Sequence, residues 1–398
     1  MDSREQINRL KRAGRFSHAL AILESTTFPQ NIRLDAQVIK LELLERLGQH
    51  GRCATLATLL LKSRELSAGQ RSACEYVFGR IAFDAGDTDV AIAHLHLAVS
   101  LAIEGNDLGR QCWAQIALLL ILADRNGPQA VLPLLTTLRL SVLKHGDPDA
   151  VAALHVFVGE MEAKCGNLRG AERHAGVAQR ILLTSENIWL EAVAENIRLA
   201  VSILRSDVRS GLSHGLRALE LADESGIAST RRACLGNLGN LFHVLGDFEV
   251  AVDYFERALT ALPSEGEKTN ATLDSLARIR LDQGQLDECE AFLERIGTSI
   301  RTDSDRALYA HRSAQLTRTQ LLARQGHTVE ALDCADSVLR LAELTGDELL
   351  WNKGLLAKAE LLQLASKPLD SRQALKEAIA RLGSGSSDLY AHYERVLG

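Results

Sequence analysis

The sequence predicts an all-α fold, a solenoid of about ten helical hairpins, on three observations. The composition is rich in Leu, Ala, Arg and Glu, with 4% aromatic residues and six prolines, which favours long helices over strands. We find no run of alternating β-branched and aromatic residues bounded by turn residues, the usual signal of strands. A glycine or serine recurs every 34 to 42 residues, and a period of this length is typical of stacked helical repeats.

The clearest repeat runs from Leu235 to Pro263. Gly246 suits a left-handed residue that ends a first helix, and Asp247 can cap the start of a second. Small residues stand where the two helices of a hairpin approach each other, and aromatic residues fill the space between hairpins. The landmarks are Leu235, Gly239, Phe242, Gly246, Phe248, Ala251, Phe255, Ala258 and Pro263.

These residues resemble the tetratricopeptide repeat, with every landmark filled except the first aromatic, where Leu235 stands. The resemblance implies a right-handed superhelical solenoid in which the first helix of every hairpin lines a concave groove. It covers about 370 residues, and the period near 40 is similar to the long-period members found among bacterial signalling regulators. Aligned on Gly246, the turn positions are Gly14, Gly48, Gly86, Gly127, Gly166, Ser206, Gly246, Gly284, Gly326 and Ser366.

Five residues beyond each turn lies a column in which nine of the ten residues are small. Its members are Ala19, Cys53, Ala91, Leu132, Ala171, Gly211, Ala251, Cys289, Ala331 and Ser371. Repeat 4 departs most, because Leu132 is large and Pro128 and Pro133 lie at the start of its second helix. We therefore expect a local kink or an altered superhelical pitch near residues 124–140.

The solenoid is expected to cover residues 1–382, and residues 383–398 a flexible GSGSS segment with a short terminal helix. That helix can be a polar cap that shields the last hairpin. Alternatively it resembles the lead-in to the ATPase module of bacterial enhancer-binding activators, and the segment would then be a linker to an effector domain absent from this chain. The matching residues are Tyr393, Glu394, Val396, Leu397 and Gly398.

The register that the resemblance supplies places a set of side chains in the groove, where a partner would bind. Its asparagines stand out because an amide can donate to and accept from a peptide backbone at once; alternatively, they satisfy neighbouring helix ends. Arg278 and Arg324 could hold carboxylates of a partner, although balanced surface ion pairs with Asp274 and Asp282 are the competing interpretation. The set is Tyr76, Arg80, Glu160, Asn196, Asn237, Asn240, His243, Arg278, Gln320 and Arg324.

Other classes of function find little support. The net charge of −6 offers no field to draw nucleic-acid phosphates, and the longest apolar run, 116–123, is too short to span a bilayer. The polar N-terminus lacks the apolar core of a secretory signal, which favours a cytoplasmic protein. Seven scattered cysteines without a C-x-x-C pair are interpreted as buried, inert thiols. His94 and His96, two apart on a helix, point to different faces, so no metal site is expected.

No nucleotide-binding glycine loop and no hydrolase or metalloprotease motif occurs in the chain. We therefore expect no enzyme and no cofactor. The first hypothesis is a protein interaction module that binds a peptide or a partner domain in its groove. The alternative is the N-terminal sensor region of a bacterial transcriptional activator of the enhancer-binding ATPase type.

Overall fold

The protein folds into paired antiparallel α-helices that stack in sequence order. A computed structural model describes residues 3–261 and 266–385, and these contain twenty α-helices and no strand. The first five hairpins, repeats 1 to 5, are α1 Ser3–Arg12 with α2 Phe16–Ser25, α3 Gln30–Arg46 with α4 His50–Leu61, α5 Ala68–Asp84 with α6 Thr88–Glu104, α7 Leu108–Asn126 with α8 Pro128–His145, and α9 Pro148–Lys164 with α10 Leu168–Ser185.

The second five hairpins, repeats 6 to 10, continue the same alternation. A 3-10 helix, Asp303–Ala307, interrupts the connection between repeats 8 and 9. The helices are α11 Ile188–Leu204 with α12 Val208–Ser225, α13 Ala228–Leu245 with α14 Phe248–Ala261, α15 Glu267–Asp282 with α16 Leu286–Thr298, α17 Tyr309–Arg324 with α18 Thr328–Thr345, and α19 Glu348–Leu364 with α20 Pro368–Gly385. The terminal segment 388–398, with the resemblance at Tyr393 to Gly398, lies outside the described residues.

The ten predicted turn positions are confirmed by the backbone. All ten have positive φ, between 57° and 88°, including the two serines. After the turn of repeat 7, the Asp247 carboxylate accepts the backbone N–H of Val250 at 3.3 Å, as its position as a cap predicts.

Ser366 occupies a left-handed turn with φ of 57° and an exposed side chain, a conformation that is costly for a residue with a Cβ atom. Replacing it by glycine is expected to raise the free energy of unfolding by about 0.5–1 kcal/mol, the strain relieved less the added flexibility of the unfolded chain. Urea unfolding would measure the change. Ser100→Gly, inside α6, is the control and should lower stability by roughly 0.5 kcal/mol; a fall at both positions would contradict the strain at Ser366.

The predicted small column lies at the contact between paired helices. Its described residues are buried, and seven of them, among them Ala251 and Cys289, have no solvent exposure at all; the side chain of Leu132 is not described. On the facing helix, a Cβ atom added to Gly239 would stand 2.9 Å from the Phe255 ring. The paired helices therefore approach closely because small residues meet there.

Repeat 4 departs from the others at its turn. Gly127 combines φ of 88° with ψ of 158°, whereas Gly146 and Gly246 have the ordinary left-handed conformation. Helix α8 nevertheless continues unbroken past Pro133 to His145. A Cβ atom on Gly127 would lie 1.6 Å from the carbonyl oxygen of Thr345 in α18, so both the φ angle and the close approach require glycine.

The ends of the first helices in repeats 1 to 5 lie against the beginnings of repeats that are four or five further along the chain. The Ile188 N–H donates to the Ala13 carbonyl at 3.3 Å, and the Lys268 ammonium lies 5.9 Å from the centre of the Phe83 ring. The Lys164 ammonium lies 5.7 Å from the Tyr309 ring. We call this continuous contact the seam; it joins one superhelical turn to the next and encloses an interior lined by first helices.

The cysteines match their predicted role in most cases. Five of the seven are buried, Cys165 and Cys334 are half-buried, and none forms a disulfide. Burial raises the pKa of Cys53 to about 12 and that of Cys289 to about 11, so both thiols stay protonated at neutral pH. Within residues 3–261 and 266–385, no helix has the length and apolarity to cross a membrane.

Candidate functional site

Five of the predicted groove residues form a continuous polar track along three successive first helices, α11, α13 and α15. Asn237 Nδ2 donates to Asn196 Oδ1 at 3.1 Å, which links repeats 6 and 7. Arg278 Nη2 approaches Asn240 Oδ1 at 3.4 Å, a long contact that links repeats 7 and 8. The asparagines therefore bridge neighbouring first helices and do not cap helix ends.

The charged members of this track form one of the two expected ion pairs, and Asp282 takes a different partner. His243 Nε2 and Asp282 Oδ2 are 2.7 Å apart, so Asp282 pairs with the histidine and not with Arg278. Asp274 is 2% exposed and accepts hydrogen bonds from Ser313 at 2.7 Å and Thr317 at 2.6 Å in the next repeat. Arg278 Nε also lies 3.6 Å from the Asp274 carboxylate, so the expected ion pair is present, although its acid is buried and also joins α15 to α17.

The groove residues of the first five repeats are engaged in ion pairs or largely enclosed. Arg80 Nε lies 3.2 Å from the Glu45 carboxylate. Glu160 lies 3.1 Å from Lys164, which also binds Asp124 of the preceding repeat at 2.7 Å. Burial raises the pKa of the half-buried Tyr76. These side chains hold first helices together and offer less to a ligand than the asparagine track.

Gln320 and Arg324 extend the predicted line into repeat 9. Both side chains are exposed, and neither makes a side-chain hydrogen bond or ion pair with another described residue. They are accessible groove residues separate from the asparagine track.

His94 and His96 lie in different surroundings, as their spacing on a helix predicts. His94 Nδ1 lies 2.7 Å from the Glu75 carboxylate, whereas His96 is exposed. In the described part of the chain, no three His, Cys, Asp or Glu side chains are placed to hold a metal ion.

The interior of the solenoid also contains charges that the register did not identify. Burial lowers the pKa of Lys268 to about 8, against the nearby Asp84 carboxylate, which raises it. Arg46 of α3 lies 4.3 Å from the centre of the Trp189 ring of α11 and 5.0 Å from that of Trp113 of α7. First helices of repeats 2, 4 and 6 therefore meet inside the superhelix, and this part of the interior is filled by the protein itself.

Comparison with known proteins supports this architecture. A sequence model of the tetratricopeptide repeat matches residues 233–269, the segment of repeat 7 that carries the landmark residues. Nine further hairpins share its left-handed turn, and eight of them share its small column. Repeat 7 is therefore a tetratricopeptide repeat, in a chain of similar hairpins. No curated protein sequence matches it.

Among solved structures, this tetratricopeptide repeat protein is similar to a Rap protein complexed with competence and sporulation factor, at 15% identity over 98% of each chain with a TM-score of 0.49. It is also similar to the quorum sensor NprR from B. thuringiensis in its apo form, at 10% identity over 89% of this chain and all of that one, with a TM-score of 0.49. Aspartyl phosphate phosphatase F from Bacillus subtilis matches at 11% identity over 89% of this chain and 95% of that one, with a TM-score of 0.48.

The tetratricopeptide register located the asparagine track but not the residues of the seam. Asp84, Lys268 and Arg312 lie on repeats that become neighbours only after a full superhelical turn. Their signal in the sequence is limited to charged residues at the ends of first helices, which are also common on solvated surfaces.

Proposed function

We propose that this tetratricopeptide repeat protein is an interaction module that binds a peptide segment of a partner along the first helices of repeats 6 to 8. The observation that carries the proposal is the track of amides at Asn196, Asn237 and Asn240, linked across successive hairpins. Concave surfaces of helical solenoids are extended binding surfaces, and this one presents three amides on two successive first helices, α11 and α13.

The amides retain hydrogen-bonding capacity after their mutual contacts are counted. The Asn196 and Asn240 amide nitrogens and the Asn237 oxygen make no hydrogen bond with another described residue. All three side chains are partly exposed. An extended peptide carries both N–H and C=O groups on its backbone, so it can satisfy donors and acceptors that alternate along the track.

The surface beside the amides has room for a ligand. Gly236 lies four residues before Asn240 on the same face of α13, and a Cβ atom added to it would meet nothing within 4 Å. Arg278 at one end of the track pairs with Asp274 through Nε and contacts Ser275 and Asn240 through Nη2, so its Nη1 is the donor for an acidic residue of the peptide. The site therefore favours an extended peptide with at least one carboxylate.

A selection of random peptides on the immobilised full chain tests this function. We expect enriched peptides to bind the Asn196→Ala, Asn240→Ala double variant at least tenfold more weakly, the loss of about two net hydrogen bonds. Gly236→Leu should abolish binding, because the added side chain occupies the open space beside the amides.

Gly51→Leu is the matched control, since a Cβ atom at this exposed position of α4 also meets nothing within 4 Å. Peptides should bind it as they bind the unmodified chain. Equal retention by Gly236→Leu and Gly51→Leu would place peptide binding elsewhere and contradict the proposal.

A further inference from the structure

The connection between repeats 8 and 9 differs from the other connections that the structure describes in full, and a cavity lies beside it. Helix α16 has 13 residues, and the chain then passes through the 3-10 helix before α17 begins at Tyr309. A cavity of about 360 Å³ lies between α16 and α17, with an apolar floor that includes Leu293, Ile296 and Ala314. This volume is at the lower end of the range of small-molecule sites.

His311, in the wall of the cavity, is buried with an unsatisfied ring nitrogen. Its side chain is 8% exposed. With the Gln315 amide in the observed orientation, Nε2 of Gln315 donates to Nε2 of His311 at 3.2 Å. The proton of the neutral ring is then on Nδ1, which has no hydrogen-bond partner. Burial and the cations Arg306, Arg318 and Arg312 lower the pKa of His311 to about 4, although the Asp305 carboxylate raises it. The ring is therefore neutral at pH 7.

A second donor at the cavity lacks an acceptor. The Arg318 guanidinium lines the cavity and makes no hydrogen bond or ion pair with another described residue. The carboxylate of Asp305 is occupied on one oxygen by the backbone N–H groups of Arg301 and Thr302, both at 2.9 Å. Two donors thus converge above an apolar floor, and a buried donor without an acceptor is costly.

We infer that this cavity is a second binding site, for a small amphipathic carboxylate. Its carboxylate would accept hydrogen bonds from His311 Nδ1 and from Arg318, and its apolar body would cover Leu293, Ile296 and Ala314. On α17, His311 and Arg318 lie nine and two residues before Gln320, which correspond to rotations of about 180° and 200° around the helix axis. Both donors therefore lie roughly opposite Gln320, which faces the groove. The site is therefore independent of the peptide groove.

Isothermal titration of the full chain with sodium octanoate tests the inference, with 1-octanol as the uncharged comparison. Octanoate should bind at a 1:1 ratio and at least tenfold more tightly than octanol, the difference expected of hydrogen bonds to a charged group. Arg318→Met should weaken octanoate binding about tenfold or more and leave octanol binding unchanged. The ¹⁵N resonance of His311 Nδ1 should shift on binding.

A blocking variant tests the location without removing a polar group. Gly297 lines the cavity, and a Cβ atom added there meets nothing within 4 Å, so Gly297→Leu should fold and abolish octanoate binding. The groove variant Gly236→Leu should bind octanoate normally, which separates this site from the peptide site. Failure of octanoate to bind, equal binding of octanol, or undiminished binding by Gly297→Leu would each overturn the inference.

Discussion

Replacing Arg312 by methionine is expected to lower the free energy of unfolding by about 3–5 kcal/mol, the range for breaking one side of a buried ion pair. Arg312 is 1% exposed, and its guanidinium lies 3.4 Å from the Asp347 carboxylate, itself 3% exposed. It also donates to the carbonyl of Asp124 at 3.2 Å and to that of Ala307. One side chain thus joins repeats 4, 9 and 10 at the seam, and its loss leaves a buried carboxylate and a buried carbonyl without their donor.

Arg318→Met is the matched control, because it makes the same change six residues further along α17 at a side chain without such partners. It should alter stability by less than about 1 kcal/mol. Urea unfolding followed by circular dichroism measures both variants. Helical repeats are held mainly by their nearest neighbours, so the loss of a seam contact should also broaden the Arg312→Met transition. Equal, small losses in the two variants would show that the seam contributes little to stability.

The features that sequence reasoning predicted are those set by neighbouring residues. Gly246 and Ser366 were identified because a hairpin needs a left-handed residue at a fixed place, and Ala251 because paired helices must approach there. These requirements recur in each repeat and are therefore visible as a period. Helix α8 continues past Pro133, although this proline lies beyond the first turn and removes one hydrogen bond of the helix, so the predicted kink does not end the helix.

The seam was not predictable in the same way. The contact of Gly127 with Thr345 joins residues that are 218 positions apart in the sequence. Whether they meet depends on the small rotation between successive hairpins, accumulated over five repeats. No single residue encodes this accumulated rotation. In the sequence, Gly127 therefore could not be distinguished from the other turn glycines, although its conformation and its contact are both unusual.

The sequence predicted which side chains lie together in the candidate groove more successfully than it predicted which of them pair. Asn196, Asn237 and Asn240 do lie together, because register along a first helix fixes which side chains share a face. The partner of Asp282 was missed, since Arg278 and His243 were both within reach by register and only the side-chain geometry decides between them. The cavity at His311 depends on an irregular connection, for which the repeat pattern makes no provision.

Raising the pH from about 5 to 8 is expected to destabilise the protein through Glu267, and Glu267→Gln should remove this effect. Glu267 is 6% exposed; its Oε1 accepts the Ala310 N–H at 2.6 Å, and Oε2 has no hydrogen-bond partner. Burial and the Asp124 carboxylate raise its pKa from 4.5 to about 8, although Arg312 and Lys164 oppose the shift. Between these values the folded state holds a proton that the unfolded state has released. The stability due to this proton is therefore complete below pH 4.5 and is lost as the pH rises through 8.

The expected size of the pH effect and its control both follow from this difference in proton binding between the folded and unfolded states. The slope is at most about 1.4 kcal/mol per pH unit, so urea unfolding at pH 5.5 and 7.5 should show a loss of roughly 2–3 kcal/mol in the unmodified chain relative to Glu267→Gln. Burial lowers the pKa of His155 and of His174, so their contribution to stability rises with pH. The unmodified chain and Glu267→Gln share this contribution, and it cancels in the difference between them. Lys268 adds stability only above pH 8, outside the range compared. Glu256→Gln, at an exposed position of α14, should retain the full pH dependence; the same slope in Glu267→Gln would mean that Glu267 is ionised in the folded protein.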